Sequence, residues 1–294
     1  MIVLRFPAIV VLLSLMGLPL LVPARAYYAG FTHAVYIESV TATWCSVCRL
    51  DQEPILKAHE KYLGSIYSVS FHVADEWETE YGMKKANEYR TTATPTYAYD
   101  AGHNGVNPGF FSRDKIESAG RRSVHRVSLA VAKVVEASKV SFEGSIKEED
   151  NRVFNGTIVV IAIENGLRSA SVIWNSVFRA YLLKLDVSIP SGGYIPFSGN
   201  WRIPDNVNIG NLELIAAAFD SDDRVGPWGP FSVQAVSDVD SGAVIPEFNT
   251  ALNVAGAATI ATITALRRKR RLTRDAKNRA VNLLECFPSS QVGF

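Results

Sequence analysis

The chain has 294 residues, with 30 Lys and Arg against 29 Asp and Glu, and a formal net charge of +1. That balance leaves no electrostatic footprint for nucleic acid, which is excluded as a partner. Its 3 cysteines exclude a four-thiolate zinc site within one chain.

The first residues, Met1 to Phe6, carry the positive Arg5. An apolar run from Pro7 to Pro23 follows, then Ala24-Arg25-Ala26. A basic start, a short apolar core and an Ala-x-Ala site predict a secretory signal over 1–26. The bulk of the chain then crosses a membrane into a compartment where disulfides persist. Between this segment and the C-terminal one lie about 220 residues, enough for one or two domains.

The next run, Ala34 to Val40, is β-branched and aromatic and predicts a buried strand. Trp44-Cys45-Ser46-Val47-Cys48 follows, and then a helix over about 49–62 with Leu50, Ile55 and Leu56 toward the core. Two thiols three positions apart on the first helical turn can close a small ring. The unpaired N–H groups of a helix N-terminus stabilise a thiolate there. A strand over 66–73, a helix over 79–89 and a strand over 92–99 opened by Pro95 come next. A long helix over about 112–138 is predicted from Val124, Val127, Leu129, Val131, Val134 and Val135. This alternation argues α/β.

Beyond residue 138 the character changes. Segments near 139–145, 153–163, 170–182, 211–219 and 229–236 are β-rich and separated by turn signals, which predicts an antiparallel sandwich over 139–240. Ile158 to Ile163 is apolar at every position and predicts a central strand buried on both faces. Asn155-Gly156-Thr157 is an N-glycosylation acceptor sequence. His72, Asp75 and Glu76 read as surface residues. Asp220, Asp222 and Asp223 read as a polar turn, because their spacing fits no EF-hand. Trp201, Pro227, Trp228, Pro230 and Phe231 read as sandwich core and loop packing.

At the far end, Phe248 to Leu266 carries no charge, and Arg267-Arg268-Lys269-Arg270-Arg271 follows. As a helix this run spans about 28 Å, enough to cross a bilayer core, with the basic cluster held on the cytoplasmic side. Residues 272–294, which hold the odd Cys286, read as a flexible tail.

Two resemblances sharpen these readings. Residues 32–138 resemble the thioredoxin superfamily. The likeness rests on Trp44-Cys45-Ser46-Val47-Cys48 after a strand, on Pro54 in the following helix and on Thr94-Pro95-Thr96 opening a later strand. It implies that Cys45 is the nucleophile, Cys48 the resolving thiol and Pro95 a cis proline. It further implies that Thr94 offers backbone to a substrate chain and that Trp44 shields the pair. The family's buried acid six residues before the first cysteine is replaced here by Ser39. Ile245-Pro246-Glu247-Phe248 before the apolar run and basic cluster is similar to the PEF-CTERM sorting signal of archaeal surface proteins, which implies a signal over 245–271 and an archaeosortase as partner.

The expected architecture is therefore an α/β thioredoxin-like domain over 32–138 followed by an all-β sandwich, with an N-terminal signal and a C-terminal transmembrane helix. The expected function is a membrane-tethered, cell-surface thiol–disulfide oxidoreductase. It needs no dissociable cofactor, acts on protein thiols or disulfides and is recycled by a membrane redox partner. The alternative is a non-catalytic surface protein, for binding or structure, in which Cys45–Cys48 is a fixed staple.

Overall fold

The computed structural model describes residues 27–136, 138–224 and 229–238, and these belong to one compact unit. The first strand, β1 (Val35–Thr41), is buried along its whole length. It leads through the cysteine turn into α1 (Ser46–Lys61). The chain then forms β2 (Ile66–His72), α2 (Glu80–Glu88), β3 (Thr96–Tyr99), β4 (Val106–Pro108) and α3 (Arg113–Gly120). The side chains of Thr79 and Ser112 cap α2 and α3 by accepting from the N–H groups of Gly82 and Lys115. β2 runs parallel to β1, β3 antiparallel to it, and β4 closes that edge.

The long helix expected over 112–138 ends at Gly120, and the chain re-enters as β5 (Val127–Glu136). β-branched residues lose side-chain freedom in a helix and pack well on a pleated surface. Val127 and Val131 turn inward, and β5 pairs along its length with β6 (Lys139–Glu148). The remaining strands are β7 (Phe154–Glu164), β8 (Leu167–Ser169), β9 (Val172–Trp174), β10 (Val177–Ile189), β11 (Tyr194–Arg202), β12 (Leu212–Asp220) and β13 (Phe231–Ser237). β7 lies between β10 and β12 and is buried from Ile158 through Glu164. β11 lies outside the segments expected to be β. Gly199 is required in it, because a Cβ there would come within 2.5 Å of the Phe142 ring.

The expected fold class is corrected by the sheets. Thirteen strands and three helices among the described residues make the protein predominantly β, not an α/β thioredoxin-like domain followed by a separate sandwich. One mixed sheet of eight strands runs through both halves in the order β13-β12-β7-β10-β2-β1-β3-β4. The splice is a short parallel bridge at which Val177 of β10 faces Ser70 of β2. There the Ser70 N–H donates to the Ser176 carbonyl at 2.7 Å. The second sheet, β11-β6-β5, packs on the large one through Val131, Phe142, Ile146, Ile158, Val160 and Leu214. Among the described residues no helix is long and apolar enough to cross a membrane. The expected signal over 1–26, the span and sorting signal over 245–271, and Cys286 lie outside the described residues.

A buried charge cluster also joins the halves. Asp100 is fully buried. It lies 2.9 Å from His33 Nε2, accepts from the Tyr36 N–H and accepts from Arg122 Nε at 3.1 Å. The Arg122 guanidinium continues to the Asp223 carboxylate and the Ser232 carbonyl. Losing one partner of such a group leaves an uncompensated buried charge. Arg122→Met should therefore cost about 3–5 kcal/mol, read as a lowered midpoint in urea denaturation; an unchanged midpoint would remove this lock from the account.

Glu148, which lies 3.0 Å from His125, is a second buried carboxylate of the sandwich. Burial pushes its pKa up, but donation from the Gly192 N–H, from His125 and from the Asp150 N–H outweighs this and brings it to about 2. A carboxyl whose pKa is lower folded than unfolded adds stability above its unfolded value. That contribution fades as the pH falls from about 4.5 toward about 2. Glu148→Gln should flatten the loss of thermal stability across that window.

Candidate functional site

The site begins where β1 ends. Cys45 has an extended backbone and is the N-cap of α1, its Sγ accepting from the Cys48 N–H at 3.1 Å. Cys45 and Cys48 are joined as a disulfide with Cα atoms 5.2 Å apart. The Thr94–Pro95 peptide bond is cis. The Thr94 carbonyl oxygen lies 3.4 Å from Cys45 Sγ. That approach is a contact, since a disulfide sulfur has no proton to donate. The structure thus brings Cys45, Cys48, Thr94 and Pro95 together, with Pro95 buried and Thr94 half-buried. Trp44 is 57 % exposed and lies against the 74 loop, where its indole N–H donates to the Ala74 carbonyl.

Neither cysteine is open to solvent. Cys48 is fully buried, and Cys45 is only 5 % exposed. They share an apolar cluster with Ala42, Trp174 and Val177, closed at its margin by Val47, Trp77, Leu167 and Val172. The hairpin of β8 and β9, from the second half of the chain, therefore roofs a disulfide in the first. That roof is braced at its base, where Ser176 N–H donates to Asn165 Oδ1 and Gly166 N–H to Asn175 Oδ1. Sequence reasoning missed Trp174, because no local pattern announces a contact with a turn more than a hundred residues earlier.

His72 and Asp75 are not the surface residues expected. His72 is 2 % exposed, and the Asp75 carboxylate 1 %. Asp75 accepts from His72 Nδ1 at 2.7 Å, from the Thr43 N–H and from the Trp77 N–H. Burial raises the Asp75 pKa, but these partners overcome it and leave the carboxyl below its ordinary range. The His72 ring lies edge-on to Trp77 and Trp174, with centroids at 4.9 and 5.1 Å. Asp75 thus ties the loop after β2 to the backbone of the cysteine turn, and His72 props the roof.

The other expected residues fall elsewhere. Ser39, at the position of the family's acid, donates to Ser70 Oγ at 3.1 Å. Asn155 is on β7 with an exposed side chain that accepts from Ser188 Oγ. Phe231 is fully buried, Trp201 packs against the sandwich core, and Pro227 and Trp228 lie outside the described residues. Asp220 accepts from the Asp222 N–H, as a polar turn does. Among the described residues no three His, Cys, Asp or Glu side chains gather as metal ligands would.

No protein-family description matches the chain, and no curated protein does. Among solved structures, HBP35 of Porphyromonas gingivalis is similar at 13 % identity with a TM-score of 0.58, over 70 % of this chain and 75 % of that one. At that identity the likeness is one of fold alone. A β-glucosidase of Kluyveromyces marxianus overlaps 38 % of this chain and 14 % of its own at 12 % identity, with a TM-score of 0.25. CsgH of R. palustris overlaps 40 % of this chain and 96 % of its own at 10 % identity, with a TM-score of 0.21. The last two overlaps are too slight to carry an argument.

Proposed function

We propose that this chain is a non-catalytic, extracytoplasmic surface protein, built for binding, in which Cys45–Cys48 is a fixed staple. The observation that carries the reading is the roof. Thiol–disulfide exchange needs an attacking thiolate to reach one sulfur of the bond. Here one cysteine is fully buried and the other nearly so, in an apolar cluster that they share with Trp174. The staple fixes the first turn of α1, the surface on which the β8–β9 hairpin rests. In this reading the segment 1–26 exports the chain, and the sorting signal over 245–271 holds it at the membrane until an archaeosortase acts at Pro246-Glu247-Phe248. A closed disulfide is at home in the compartment that this topology supplies.

One observation favours exchange chemistry as the second reading. Cys45 Sγ caps a helix and lies against the carbonyl that precedes a cis proline. The resemblance to the thioredoxin superfamily would then make Cys45 the nucleophile, with Cys48 releasing the mixed disulfide. Trp44 and Thr94 would be the substrate contacts.

Two experiments separate the readings. The Cys48→Ser protein, expressed in membranes, should trap no mixed disulfides above a Cys45→Ser control, and the native protein should not accelerate insulin reduction by dithiothreitol. Trapped partners, or accelerated insulin reduction, would establish the second reading. Trp174→Ala should lower stability by about 3 kcal/mol through the cavity it leaves. It should also speed reduction of Cys45–Cys48 by dithiothreitol at least about tenfold, since access controls the rate. Unchanged reduction kinetics would show that Trp174 does not guard the bond.

A further inference from the structure

We propose that the chain binds an amphiphilic organic anion, with a flat apolar body and an acidic head, in the cavity of about 650 Å³ formed by β1, α2, β7 and β10. The proposal rests on the binding-protein reading above and names the ligand class. The cavity is separate from the disulfide, and its size is that of pockets that enclose small organic molecules.

Its floor is a finished polar structure. Glu38 is 2 % exposed. It accepts from Tyr36 Oη at 3.3 Å and from Tyr89 Oη, and Lys85 Nζ lies 3.6 Å away. Lys85 also pairs with Glu88 at 3.0 Å and stands 5.3 Å over the Tyr89 ring. The carboxylates and the phenols of the floor are therefore already engaged, and a ligand does not need to satisfy them. The walls are apolar and aromatic. Tyr181 meets Tyr81 edge-on at 5.5 Å, and Phe219 meets Tyr36 edge-on at 5.7 Å. A flat apolar body removes these rings from water.

The rim decides the charge. Lys84 and Lys184 line the cavity and are exposed. Neither has an ion pair among the described residues. The lining as a whole sets three ammonium groups, Lys84, Lys85 and Lys184, against two carboxylates, Glu38 and Glu88. A cation would meet this excess unfavourably, and a neutral ligand would leave the two rim ammonium groups unused. An acidic head gains from both, by an amount that salt screens.

The probe is 1-anilinonaphthalene-8-sulfonate, an aromatic sulfonate, titrated by fluorescence into the oxidised protein. One saturable site is expected, weakened by added salt. Lys84→Glu with Lys184→Glu should weaken it at least about tenfold, with the melting temperature kept, because both side chains are exposed. Tyr181→Ala should weaken it through the wall. The neutral analogue N-phenyl-1-naphthylamine should bind at least about tenfold less tightly. Absence of saturable binding, equal binding by the charge-reversed protein, or equal affinity for the neutral analogue would overturn the proposal. Saturable dye binding together with accelerated insulin reduction would leave this site standing and overturn the binding-protein reading. Failed dye binding with no insulin reduction would overturn this site alone.

Discussion

The structure depends on one short splice, the parallel bridge that sets Val177 beside Ser70. A backbone hydrogen bond from the Ser70 N–H to the Ser176 carbonyl marks it. The bridge makes β2 and β10 neighbours, so strands from two halves of the chain form one sheet. It also fixes where the preceding hairpin lies. The residues just before Val177 are those of β9, and Trp174 is carried onto the cysteine turn because the strand that follows it is anchored beside β2. Joining the sheets and roofing the disulfide are thus one event.

The energetics favour this arrangement at several points. Trp174, Phe71 and Phe178 are almost wholly buried near the junction, and burying one such side chain stabilises by about 1.5–3 kcal/mol. Apolar area alone does not choose a register, however. The directional groups do that. Arg122 links Asp100 of the first half to Asp223 and Ser232 of the second, and Asn165 ties the hairpin base together. A shifted strand would strand buried charges and amides without partners, at a cost of about 1–3 kcal/mol for each neutral group and more for each charge.

Legibility in the sequence followed the range of the interactions. The bounds of β1, α1, β2 and α2 were readable to within a few residues, because their signals are local. The inward face of α1 was not: Leu50 and Leu56, expected toward the core, are 68 % and 51 % exposed, while Cys48, Asp51 and Ala58 are the residues buried. The grouping of Cys45, Cys48, Thr94 and Pro95 was readable through motif resemblance. β5 was not, since its valines fit a helical face as well as a strand and Ala137-Ser138 offers no glycine, proline or asparagine to announce a hairpin. The shared sheet was invisible for a deeper reason: nothing in Ile66–His72 states that its free edge will pair with residue 177. The misreading of His72 has the same origin in part, because Trp174, one of the two rings packed against it, comes from a distant part of the chain. The fold class failed at that join, where local patterns end.

A roofed disulfide that serves as a staple should resist reduction. The most direct measurement is the reduction potential of Cys45–Cys48, obtained by equilibrating the folded protein against dithiothreitol and trapping free thiols with a mass label. A staple should show a potential below about −300 mV, as structural disulfides do. A value near that of thioredoxin, about −270 mV, or more oxidising, would contradict the account and return the pair to exchange chemistry.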